Sequence, residues 1–140
     1  MVQKPGSIVH VEIASNDLPR TKQFFNTVFG WKMQEMPEMN YTMFQAPGAP
    51  HGGFTPPQGG MPAGTLNHIL SNDIVATARK IEQNGGAILV PKTEIPKIGW
   101  FAVFREPGGA VLALYEDMPK PRASRPRPAK KARRSTGRRK

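Results

Sequence analysis

The sequence predicts an α+β fold built from two similar units, each a strand, a helix and about three further strands, spanning residues 5–117 and followed by a strongly basic tail, 118–140. Three observations carry this. Short apolar runs alternate with a period of two between clusters of Gly, Pro and Asn. Two intervening segments show a capping residue followed by apolar residues at helical spacing. The order of elements then recurs after roughly 55 residues, and neither half alone has enough apolar surface to make a core.

The first unit opens at Ile8 to Ile13, where Val9, Val11 and Ile13 take one face and Ile8, His10 and Glu12 the other. Asn16-Asp17 offers an N-cap, with Asp17 the capping side chain, and Pro19 suits the first helical turn. Phe24/Val28 and Phe25/Phe29 recur at a spacing of four before Gly30, which predicts a helix of about three turns. Strands follow at Trp31 to Met36 and Asn40 to Gln45. Pro47 to Gly64 is too rich in Gly and Pro for regular structure except around Gly52 to Thr55. The second unit repeats this with a strand at Leu66 to Leu70 and a cap in Ser71-Asn72-Asp73. A helix marked by Ile74, Ala78 and Ile81 ends at Asn84-Gly85-Gly86, and strands follow at Ala87 to Val90, Trp100 to Arg105 and Val111 to Glu116.

Of 140 residues, twenty are basic and ten acidic. Every acidic residue lies between Glu12 and Asp117, whereas eleven of the basic ones lie between Lys120 and Lys140, so the folded part is close to neutral and the tail carries the charge. Cysteine is absent, which removes disulfides, thiolate nucleophiles and cysteine-ligated zinc. No apolar run has the length of a signal peptide or membrane span, so a soluble cytoplasmic protein is expected.

The strand around His10, the helix ending in Val28-Phe29-Gly30-Trp31, the strand Asn67-His68-Ile69, the helix running into Asn84-Gly85-Gly86 and the closing Glu106-Pro107-Gly108-Gly109-Ala110-Val111-Leu112-Ala113-Leu114 together resemble the glyoxalase, bleomycin-resistance and extradiol-dioxygenase (vicinal oxygen chelate) superfamily. The resemblance covers about 110 residues. It implies two βαβββ units curled into a half-open mixed β-barrel with flanking helices, a ligand cavity that often holds a divalent metal, and a homodimer. In metal-dependent members a His on the first strand of each unit and a carboxylate on the last strand of each face the cavity. His10 and His68 match the histidine positions. The carboxylate position of the second unit is Ala113, and the corresponding strand of the first runs through His51-Gly52-Gly53-Phe54.

Two readings of these residues stand side by side. In one, His10, His68 and Glu12, the last about 7 Å along the strand from His10, hold a divalent ion that polarises a substrate oxygen. That set suits Fe(II) or Mn as well as Zn, and His51 offers a further nitrogen. In the other, the two imidazoles are hydrogen-bonded residues lining a concave sheet, Glu12 partners one of them, and His51 is a solvated loop residue. Tyr115 shares a strand face with Ala113, and Trp100, Phe104 and Tyr41 serve either as cavity walls or as core. Met33, Met36, Met39 and Met43 likewise form an adaptable wall or fill gaps.

The tail places Lys120, Arg122, Arg125, Arg127, Lys130, Lys131, Arg133, Arg134, Arg138, Arg139 and Lys140 among prolines and small residues. Such a segment has too little apolar surface to offset its ordering entropy and is expected to be disordered. Extended cations track a phosphate backbone and release its counterions, so DNA or RNA is the expected partner, bound without sequence preference, and a nucleoid-associated location would follow. An acidic protein, anionic lipid or solubility alone accounts for the same charge, and the missing amphipathic face argues against membranes. The leading expectation is a glyoxalase-like small-molecule-binding protein held near nucleic acid. As an enzyme it would be a metal-dependent lyase or dioxygenase; without turnover it would be a sequestering protein. The alternative is a nucleic-acid accessory protein whose module serves dimerisation or partner contact.

Overall fold

A computed structural model describes residues 3–58 and 61–119; the predicted disorder and nucleic-acid contacts of Lys120 to Lys140 lie outside the described residues. The chain forms β1 (Ile8–Ala14), α1 (Leu18–Phe29), β2 (Lys32–Met36), β3 (Tyr41–Gln45), β4 (Gly52–Thr55), β5 (Gly64–Leu70), α2 (Ile74–Gln83), β6 (Ala87–Ile95), β7 (Gly99–Arg105) and β8 (Val111–Asp117), with a short 3-10 turn at Pro37–Met39. This is the α+β arrangement of two βαβββ units. Among the described residues no helix is long and apolar enough to cross a membrane.

Both helices start by the same device. The Asp17 carboxylate accepts the Arg20 N–H at 3.2 Å and that of Asp73 accepts the Ala76 N–H at 3.1 Å, satisfying donors that the first helical turn leaves open. Upstream, the hydroxyls of Ser15 and Thr21 meet at 2.6 Å and those of Ser71 and Thr77 at 2.8 Å, so the two units share a Ser-x-Asp-x-x-x-Thr motif. Gly30 ends α1 in the left-handed region, φ 70°, donating its N–H to the Asn26 carbonyl.

The strands form one open mixed sheet in the order β2-β3-β4-β1-β5-β8-β7-β6. At its centre β1 and β5 run antiparallel with His10 opposite His68, while β1 pairs β4 and β5 pairs β8 in parallel. The two units are therefore related by an approximate twofold at the His10–His68 pair. β6 continues to Ile95, past the Val90 end predicted from sequence. Pro91 is tolerated because β6 is an edge strand and its pairing to β7 shifts register between Ile88 and Val90 and again between Val90 and Thr93.

The two helices cover one face of the sheet. Under α1, Trp31 stacks on Phe44 with ring centroids 4.5 Å apart and on Phe25 at 4.7 Å, and Phe25 leans on Phe54, which is 0% exposed. Burying a side chain of that size contributes roughly 2–3 kcal/mol. Under α2, Ile74, Ala102, Phe104 and Leu114 make the core, with Ile69, Ile81 and Trp100 packed against it. Strand register makes Glu116 the counterpart of Phe54. Its buried carboxylate accepts the Ile74 N–H at the start of α2 at 2.7 Å and pairs with Lys92 at 2.8 Å. The negative charge thus sits where the helix dipole favours it.

Candidate functional site

Because directly opposed residues share a sheet face, the pairs His10–His68, Glu12–Leu66 and His68–Ala113 all lie on the side away from the helices. One row across the sheet reads His10, His68, Ala113, Val103; the next reads Met43, Gly53, Glu12, Leu66. The two imidazoles meet edge to face with ring centroids 5.2 Å apart. The Nε2 atom of His10 lies 2.6 Å from the Tyr41 hydroxyl.

Tyr41 stands on β3, and β4 runs between it and β1. It reaches His10 only because β4 carries glycine where it passes. A Cβ at Gly53 would fall on the Tyr41 ring and hydroxyl, and one at Gly52 would fall on the Val11 carbonyl and the Phe44 ring. The glycine doublet thins β4 on both faces: Gly52 lets the aromatic core close, and Gly53 lets a phenol lie across the strand. The second unit carries the same pair in reverse. Strand register makes Gly99 the counterpart of Tyr41 and Tyr115 the counterpart of Gly53. The Tyr115 hydroxyl goes to the Ile98 carbonyl at 3.4 Å. One imidazole therefore has a phenol partner, while Nδ1 of His68, which is 7% exposed, has no hydrogen-bond partner among the described residues.

Electrostatics follow from burial. Burial pushes the His68 imidazole down to about 4, helped by the nearby His10 and partly opposed by backbone groups of Leu66 and His10. Burial alone lowers His10 and raises Glu12. The Tyr41 phenol is raised by burial and then by the negative Glu12. At neutral pH both imidazoles are uncharged and the phenol keeps its proton. We assign the phenol as donor to Nε2, which leaves the His10 proton on Nδ1.

The structure places His10, Glu12 and His68 on one face, bonds Tyr41, which the sequence offered as cavity wall or core, to His10, and adds Gly53 as the gap that lets it reach. His51 sits exposed just before β4, and its carbonyl accepts the Val11 N–H at 3.1 Å. Tyr115 lies on the Ala113 face, with its hydroxyl turned to Ile98 and its phenol pushed up to about 12 by burial and then by Asp117. Trp100 is corrected: it belongs to the helix side, packed on the α2 core with the Lys92 ammonium 4.6 Å from its ring centroid. Phe104 is core on that side too, because β7 turns Trp100, Ala102 and Phe104 one way and Phe101 and Val103 the other. Of the methionines, Met36 and Met43 share the Tyr41 face, whereas Met33 pairs with Phe44 on the helix side.

The donor set does not fit a divalent metal. Among the described residues no group of three or more His, Asp or Glu side chains is arranged to hold an ion. The position paired with His68 is Ala113, which offers no donor, and one His10 nitrogen is engaged by Tyr41. The tyrosine signal lay in Gly52-Gly53, since a glycine doublet inside a short strand marks a close approach from outside it.

Residues 7–47 match the family described as bleomycin resistance protein-like N-terminal. The protein named "Putative glyoxylase CFP32" of Mycobacterium bovis is 28% identical over 123 residues, covering 85% of this chain and 47% of that protein. The chain thus spans about half the length of that relative. Methylmalonyl-CoA epimerase from Mycobacterium tuberculosis superposes with a TM-score of 0.62 at 16% identity, over 85% of this chain and 94% of that one. A glyoxalase/bleomycin resistance protein/dioxygenase superfamily member from Vibrio splendidus 12B01 gives 0.57 at 16% identity, over 77% and 96%.

Proposed function

We propose, for a chain that belongs to the glyoxalase, bleomycin-resistance and dioxygenase superfamily, that it binds a small organic molecule on the face carrying His10, Glu12, Tyr41 and His68 and does so without a metal ion. The observation that carries the reading is the gathering of two neutral imidazoles and a phenol at the junction of the two units, beside an alanine where a third ligand would have to stand. Such groups fix a ligand by hydrogen bonds inside a largely apolar surface. Full-length protein purified without chelator is expected to contain substoichiometric metal, and Zn(II), Mn(II) and Fe(II) are expected to leave its melting temperature unchanged, since an ion bound only by the folded state would raise it. One ion per chain, lost on His10→Ala or His68→Ala, would overturn the metal-free reading.

The basic segment is read as the part that holds the module to a polyanion, nucleic acid first, on the strength of eleven cations and no acidic residue between Lys120 and Lys140. Truncation after Pro119 is expected to abolish retention on DNA at low salt without changing thermal stability. Equal retention of the truncated protein would remove this role.

A further inference from the structure

Glu12 sits in the middle of the proposed ligand face, half-buried, and among the described residues no hydrogen-bond donor or ion-pair partner reaches its carboxylate. A charge taken partly out of water and left unpaired is unfavourable, and folds retain one where something else supplies the partner. Its neighbours do not. His10 and His68 are held neutral by burial, and Tyr41 feels the carboxylate as a negative charge. Strand parity puts Lys32 and Arg105 on the same face, but each is exposed and stands three strands from β1, Lys32 on β2 and Arg105 on β7, which is on the order of 14 Å at about 4.8 Å per strand. At that separation exposed charges are largely screened at physiological salt.

The surroundings of the carboxylate are apolar. Its row across the sheet places Met43 beyond Gly53 on one side and Leu66 on the other. A thioether and a leucine accept a hydrophobic body and cannot solvate a charge. Independently, His68, more than nine-tenths buried in the adjoining row, has in Nδ1 a nitrogen with no hydrogen-bond partner among the described residues. From the partnerless carboxylate, the orphaned imidazole nitrogen and the apolar row around them, we infer that this face selects an organic cation: a protonated amine carried on an apolar aromatic body, with Glu12 as its counter-ion. This rests on the ligand face proposed above and adds the ligand's charge.

The test uses the full chain at a salt concentration that screens the basic tail, and three probes with one aromatic body: pyrenemethylamine, pyrenemethanol and pyrenecarboxylate, titrated by fluorescence. The ammonium is expected to bind about tenfold more tightly than the alcohol, with the carboxylate weakest. Glu12→Gln and Glu12→Leu should each bring the ammonium's affinity to within about twofold of the alcohol's, both measured in the same variant; the melting temperature of each variant confirms that it folds. Equal binding of all three probes, or an advantage that survives both variants, overturns the cation inference. The ligand face stands in that case if His68→Ala still weakens the alcohol. If the alcohol is indifferent to His10→Ala and His68→Ala, or if none of the probes binds, the ligand face falls and the inference with it.

Discussion

Between pH 6.5 and about pH 4 the protein is expected to lose about 3 kcal/mol of stability through His68 alone. In the unfolded chain this imidazole gains its proton near the ordinary value of 6.5, while burial holds the folded group at about 4. Across that window the unfolded state binds more protons than the native one, so lowering the pH favours unfolding, and the loss levels off once the folded imidazole is protonated too. At about 1.4 kcal/mol for each tenfold change in proton affinity, the interval gives the figure above. His10, lowered in the same direction, adds to the slope, and Glu12, raised by burial, works against it. Urea unfolding at a series of pH values, comparing wild type with His68→Asn, isolates the His68 contribution. Parallel stability curves for the two proteins would show that this imidazole titrates as it does in water.

Gly53→Val is expected to cost about 3 kcal/mol and to separate Tyr41 from His10. The new side chain must occupy the volume where the Tyr41 ring now crosses β4, and overpacking of this kind costs typically 1–3 kcal/mol. Losing a phenol–imidazole hydrogen bond adds to that. The coupling is open to a double-mutant cycle: in a Tyr41→Ala background the crossing ring is gone, so Gly53→Val should become much less damaging, with a coupling of about 1–2 kcal/mol. Imidazole nitrogen chemical shifts report the second half of the prediction, because His10 should lose its fixed tautomer in the single variant. A Gly53→Val protein as stable as wild type, with unaltered His10 shifts, would mean that Tyr41 does not need the gap.

What was legible in the sequence is what short-range chemistry decides. Asp17 and Asp73 announce their helices because a cap acts on donors three residues away, and Gly30 ends α1 by a backbone conformation that disfavours other residues. The opposition of His10 and His68 was within reach because the internal repeat places both on the first strand of their units. Trp100 was not assignable to a face from its own strand. Trp100 to Phe104 is apolar throughout, as befits a strand covered on both sides over much of its length, so alternation gives no contrast between inside and out. The length of β6 was hidden by Pro91, which ends most strands and is tolerated at a sheet edge. Tyr41 was legible as wall or core, but its bond to His10 was hidden: the partner lies 31 residues away and two strands over, and only the pairing of β3, β4 and β1 brings them together.

The reversed tyrosine–glycine order of the two units gives the midline of the sheet a direction. Related halves set side by side would offer a visitor two equivalent ways to lie down. Here one end meets a phenol already spoken for by its imidazole and the other a bare ring nitrogen, so turning the visitor end for end changes every polar contact it makes. On the proposed ligand face, such a doubled architecture would tell the head of a molecule from its tail.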